Sequence, residues 1–159
     1  PAVPQRKGEH GIIVEGLSNC LVKFSKCCSP VPGDDIVGFI TRGYGVSVHR
    51  ADCPNVLRSK DNPAEAGRWI RVSWADKTSE EYHTMLQVVA KDRISLIVDV
   101  STVLSATKTR VLSLNARSTP DGFALLDLGI AVSGRDQLKT VTSRLEQIQG
   151  VMKVTRPAG

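Results

Sequence analysis

Cys27, Cys28, His49 and Cys53 all lie between residues 27 and 53, in "CCSPVPGDDIVGFITRGYGVSVHRADC". Thiolate sulfur and imidazole nitrogen are the donors zinc prefers, and four of them complete a tetrahedral site with no position left for water. Three other chemistries compete for the same residues. Two thiols can close a disulfide, a thiol beside an imidazole can act as a nucleophile, and cysteines can simply fill a core as small apolar groups. No second base is evident beside the thiols, which weakens the catalytic reading. Adjacent side chains in a strand point apart, so Cys27 and Cys28 can share an ion only if they sit in a turn. Pro30 and Pro32 just downstream are compatible with one. In Val46-Ser47-Val48-His49, alternation sends the two valines to one face and His49 to the other. Cys53 follows four residues later, close enough for a turn to bring its sulfur back. The fourth cysteine, Cys20, reads as a small core residue.

The elements that must position these groups are short. Residues 12–17, 20–25, 36–41, 46–49 and 68–74 have strand-like β-branched and aromatic content. "SPVPGDD" is a turn cluster and "RGYG" a hairpin connection supplied by Gly43 and Gly45. "DCPNVLRS" opens a short helix, with Asp52 as cap and Pro54 in the first turn.

From residue 83 the pattern changes. A strand over 83–90 leads to an apolar helix over 94–108. "VLSLNARS" alternates, with Leu112, Leu114 and Ala116 on one face. "TPDG" is a hairpin turn, followed by a strand whose Ala124, Leu126, Leu128, Ile130 and Val132 form one apolar face. Ser133 and Asp136 mark a helix start. Leu138, Val141, Leu145 and Ile148 recur at helical spacing, Gly150 closes the helix, and 151–156 is a last strand. The order β-α-β-β-α-β is the ferredoxin-like split unit. The expected fold is α+β: a linker over 1–11, a small β-rich Cys/His domain over 12–76, a linker over 77–82 and the second domain over 83–157.

The 159 residues carry 21 Lys and Arg against 16 Asp and Glu, a formal charge of +5, which suits a polyanionic partner. Lys26, Arg42 and Arg50 lie near the Cys/His cluster and suit phosphate contacts. Aromatics make up only 4% of the chain, which excludes base stacking as a main binding mode. No stretch reaches a membrane span and no signal peptide is visible. Clustered cysteines with a histidine fit a reducing, cytoplasmic setting. The opening "PAVPQRKGEH" reads as a linker, suggesting a piece of a longer protein. There is no P-loop, no His-Asp hydrolase pair and no carboxylate cluster for nucleotide chemistry, so the chain is expected not to be an enzyme by itself.

The run "CCSPVPGDDIVGFITRGYGVSVHRADCPN" resembles the zinc-finger, or ribosome-intersubunit, domain of long RelA/SpoT enzymes, the GTP pyrophosphokinases and (p)ppGpp hydrolases of the bacterial stringent response. The resemblance is near-continuous from Gly11 to Leu57. It extends through the second unit, because these enzymes end in an ACT domain. It implies zinc held by Cys27, Cys28, His49 and Cys53, and contact with rRNA and deacylated tRNA through Lys26, Arg42, Tyr44 and Arg50. It also implies control of catalytic domains lying upstream, and ACT domains that pair edge to edge as homodimers. Tyr44 stands between two glycines where the resemblance leads one to expect Arg. In amino-acid-binding ACT domains the junction resembling Asp92-Arg93-Ile94-Ser95 carries glycine at the Ser95 position. The side chain narrows that ligand approach, and Asp92 is then read as a helix cap. Amino-acid sensing by an ACT-type dimer is the alternative function.

Overall fold

The computed structural model describes residues 11–15, 21–43, 45–75 and 81–157. Cys20 and Tyr44 lie outside the described residues. The chain divides into two compact units, the second being Glu81–Pro157. None of the described helices is long and apolar enough to cross a membrane.

The first unit contains β1 (Ile12–Val14), β2 (Val22–Phe24), β3 (Ile36–Ile40), β4 (Val46–Arg50), α1 (Pro54–Lys60), a 3-10 turn (Ala66–Arg68), β5 (Trp69–Ile70) and β6 (Val72–Trp74). One sheet runs β2-β4-β3-β5, and β1 pairs with β6 in a separate antiparallel ribbon. The expected strand over 68–74 is therefore two strands. Trp69 pairs across to Phe39 of β3, whereas Val72 pairs with Val14 of β1, so the chain changes sheets at Arg71. Ile12, Val14, Val22, Val46 and Val48 are buried together, with Phe24, Ile36, Ile70, Val72 and Trp74 packed around them. Gly38 sits where this packing is tightest: a Cβ there would stand 2.8 Å from Val72 Cγ1 and 2.9 Å from Val46 Cγ1. Only glycine lets the ribbon approach the sheet so closely.

The second unit contains β7 (Tyr82–Lys91), α2 (Leu96–Ala106), β8 (Arg110–Ser118), β9 (Phe123–Val132), α3 (Arg135–Glu146) and β10 (Val151–Thr155). Its four strands lie in the order β10-β7-β9-β8, and every pairing is antiparallel. Leu86 and Val88 of β7, Leu126, Leu128 and Ile130 of β9, Leu96, Val100 and Leu104 of α2, and Leu138, Val141 and Leu145 of α3 are all buried. The α+β class and the split β-α-β-β-α-β order expected from the sequence are what the chain adopts.

Three local readings need correction. Leu114 and Ala116 share a face, opposite Leu128 and Leu126, but the unbroken alternation expected from Leu112 onward is interrupted, because the β8 register slips between Val111 and Ser113. Val111 is opposite Ile130 and Leu114 opposite Leu128, so Leu112 is the extra residue of a bulge. Ser133 does not cap α3 through Asp136. The cap position is Gly134, and the Ser133 backbone and hydroxyl both donate to Gln137 Oε1, at 2.8 and 3.0 Å. Finally α3 ends at Glu146, and Gly150, with φ +91°, instead shapes the turn into β10.

Candidate metal centre

The vicinal cysteines meet the condition their spacing imposed. Lys26, Cys27 and Cys28 form a turn closed by the Ser29 N–H donating to the Ser25 carbonyl at 2.9 Å, and Ser29 takes a positive φ of 45°. This bend, unlike a strand, turns neighbouring side chains to the same side. His49 comes from β4, where Val46 and Val48 are buried and His49 faces away from them, as alternation requires. Cys53 is returned by a tight turn in which its N–H donates to the Arg50 carbonyl at 3.0 Å. It then occupies the cap position of α1, with Pro54 following. Asp52, expected as that cap, instead bonds Arg50.

Cys27 Sγ lies 3.4 Å from His49 Nδ1, 3.5 Å from Cys53 Sγ and 3.9 Å from Cys28 Sγ, and Cys28 Sγ lies 3.8 Å from His49 Nδ1. All four donor atoms fall within 4.8 Å of one another. A tetrahedron built on zinc bond lengths has sulfur–sulfur edges of about 3.8 Å and sulfur–nitrogen edges of about 3.6 Å. The four edges given are close to that size and the remaining two lie within 4.8 Å, so the donor set suits the ion after a small inward shift of Cys53. Bound zinc would act here as a cross-link between the Cys27-Cys28 turn, β4 and the start of α1.

The surroundings favour donor forms unequally. Burial holds the His49 imidazole below its ordinary pKa, leaving it neutral and able to donate its lone pair. Burial pushes the Cys28 thiol up to about 12, so metal binding must displace a proton there. Burial also raises Cys27, but hydrogen bonds with Ser25, Asn55, Cys53 and Cys28 outweigh it and the thiol ends below its ordinary value. Ser25 Oγ is 3.0 Å from Cys27 Sγ, and the Arg50 N–H reaches Cys28 Sγ at 3.3 Å. Trp69 packs against the cysteine cluster, its ring centroid 6.1 Å from that of His49. Sequence reasoning missed Ser25, Asn55 and Trp69. Ser25 could have been found from its i, i+2 spacing to Cys27; Trp69 comes from a distant strand and left no such signal.

Two family models cover the chain, "RelA/SpoT RIS domain" over residues 12–75 and "ACT domain" over residues 78–156. The chain is 36% identical over 98% of its length to the "GTP pyrophosphokinase" of Escherichia coli (strain K12). The chain is a RIS domain followed by an ACT domain of the RelA/SpoT type. It is also 36% identical over 98% of its length to the "Bifunctional (p)ppGpp synthase/hydrolase RelA" of Mycobacterium tuberculosis, and 38% identical over 92% to the "GTP pyrophosphokinase" of Streptomyces coelicolor. The chain spans 21%, 21% and 17% of the lengths of those three relatives.

The basic residues of the RIS domain differ in availability. Lys26 and Arg42 are exposed. The Arg50 side chain is only 12% exposed and forks onto Asp52, with Nε and Nη2 each 3.0 Å from a carboxylate oxygen. Its Nη1 also reaches the Cys28 carbonyl at 3.5 Å. Arg50 thus ties the ligand-bearing turns together.

In the ACT domain, Ser95 opens α2 with φ 69° and ψ 6°, the left-handed conformation that favours glycine. Asp92 is not the helix cap; its carboxylate accepts from the Ser118 hydroxyl at 2.7 Å. Arg93 closes the same loop, donating to the Gln149 carbonyl at 3.1 Å and pairing with Asp99 at 2.6 Å. The backbone shape of a glycine junction persists with a side chain placed on it. Ser95→Gly is therefore expected to stabilise the ACT domain by about 0.5–1 kcal/mol, read from urea unfolding, since relief of left-handed strain outweighs the added unfolded-state freedom.

Proposed function

We propose that this chain is a regulatory, non-catalytic segment of a bacterial (p)ppGpp synthetase or hydrolase. In this reading the RIS domain is a zinc-stapled knob that contacts rRNA and deacylated tRNA in the cytoplasm, and the ACT domain helps relay that contact to catalytic domains of the parent protein. The observation that carries it is the convergence of the donor atoms of Cys27, Cys28, His49 and Cys53 to within 4.8 Å of one another, within a RIS-type sequence. A closed site offers no position for substrate and serves shape, not turnover. Elemental analysis of the reduced protein tests the ion directly, with about one zinc per chain expected.

Lys26 and Arg42 are the cations best placed to meet phosphate, being exposed and beside the ligand turn and the β3–β4 hairpin. Lys26→Glu combined with Arg42→Glu is expected to weaken cosedimentation with ribosomes. It should also lower the slope of log affinity against log salt by about 2, one for each phosphate that is no longer neutralised. Unchanged binding and slope would assign both cations to surface solvation. Arg50 is the wrong residue for this test, because its removal would also disturb the ligand turns.

The ACT domain supports self-association through β8. This strand lies at the sheet edge, exposed along its length, with Val111 43% and Leu114 36% exposed. An uncovered edge carrying apolar side chains is a template for pairing with a second copy. The alternative reading, amino-acid sensing, draws on the retained left-handed junction at Ser95. Calorimetry with branched-chain amino acids separates the two, a saturable isotherm favouring the sensor.

A further inference from the structure

We propose that Cys27 is an oxidation site for hydroperoxides and that Cys53 resolves it, so that the RIS domain loses its metal through one specific disulfide. The choice among three thiols follows from access and distance. Cys28 is 1% exposed and Cys53 0%, whereas Cys27 keeps a solvent-facing surface. An oxidant from solvent therefore meets Cys27 first. Among the described residues the sulfur nearest to Cys27 is that of Cys53, at 3.5 Å, against 3.9 Å for Cys28. Closing to a bond of about 2.05 Å needs a smaller movement for Cys53, and it is free of the ring strain imposed on adjacent cysteines.

The chemistry balances with a peroxide as the oxidant. The Cys27 thiolate attacks one peroxide oxygen, the O–O bond breaks, and hydroxide (or alkoxide) leaves, giving a sulfenic acid. The Cys53 sulfur then attacks the Cys27 sulfur, the S–O bond breaks, and water departs with the Cys53 proton. Overall two thiols and one hydrogen peroxide give one disulfide and two waters. Two donors, Cys28 and His49, remain, too few to retain zinc in a tetrahedral site. Selectivity among the thiols rests on their folded positions, and the metal-release step rests on the zinc reading above.

The test uses reduced chain loaded with zinc, treated with one equivalent of hydrogen peroxide and quenched with a maleimide. Tryptic cleavage after Lys26 and Arg50 places Cys27 and Cys28 in one peptide and Cys53 in another, "ADCPNVLR". Tandem mass spectrometry is expected to show a loss of about 2 Da at the linked pair, a Cys27–Cys53 cross-link and the maleimide on Cys20 and Cys28. Cys20→Ser, which leaves all four clustered side chains in place, should still form the cross-link. A cross-link through Cys28 or Cys20 overturns the proposal, as does a chain that stays fully reduced. The same reaction followed with a chromophoric chelator should release one zinc per disulfide formed. If the sample holds no zinc at the outset, the metal reading fails, while the mapped disulfide still decides the thiol chemistry.

Discussion

Cys53→Ser is expected to abolish zinc retention and unfold the RIS domain while the ACT domain stays folded. Cys53 is fully buried beside Cys28 and Val56, and it is both a donor and the first residue of the α1 turn. The domain is small, and among the described residues its main core has five buried side chains, Ile12, Val14, Val22, Val46 and Val48, with Phe24, Ile36, Ile70, Val72 and Trp74 partly buried around them. Folds of this size commonly depend on a staple, because they bury too little apolar surface to offset the entropy of ordering the chain. A structural zinc supplies an apparent binding free energy of about 10–16 kcal/mol, far more than such a core can replace. Amide exchange read by mass spectrometry should show residues 21–75 unprotected in the variant and Glu81–Pro157 unchanged. The same pattern is expected from the wild-type chain after chelation. Retained zinc and unchanged protection in Cys53→Ser would show that the domain folds without this staple. Simultaneous loss of both units would show that they do not fold independently.

The second large effect belongs to the ACT core. Leu128→Ala is expected to destabilise that domain by about 2–5 kcal/mol, the range for emptying a fully buried leucine site. Leu128 is 0% exposed, between Leu86 on β7 and Leu114 on β8. Leu112→Ala, the same chemical change on the neighbouring strand, should cost less than about 0.5 kcal/mol. Leu112 occupies the bulge and is 42% exposed, so its truncation leaves no cavity. Urea unfolding of the two variants checks the contrast. Equal losses would place Leu112 back on the buried face and dismiss the bulge.

That contrast also marks how far the sequence could be read. The apolar face of β9 was legible because Ala124 through Val132 alternate without interruption, and the core of α3 because Leu138, Val141 and Leu145 recur at helical spacing. The ordered cysteines and histidine pointed to the four side chains that converge, and β4 alternation correctly put His49 opposite its valines. What escaped were departures from period. A bulge at Leu112 adds a residue that no pattern announces, and the sheet switch at Arg71 divides a run that looks continuous. Caps misled for a related reason: Asp52, Asp92 and Ser133 carry capping side chains, yet Arg50, Ser118 and Gln137 claim them. Those rivals lie within a few residues for Asp52 and Ser133, but 26 positions away for Asp92.

The fork between Arg50 and Asp52 sets up a competition inside the knob. Asp52 takes the Nε–Nη2 edge of the guanidinium and the Cys28 carbonyl takes Nη1, so an incoming phosphate that grips the same edge competes with both. A polyanion that recruits Arg50 in this way draws it off Asp52, next to Cys53, and away from the carbonyl of Cys28. Reciprocity of linked equilibria then demands that a tightly clamped ion make such recruitment harder, and a loosened one make it easier.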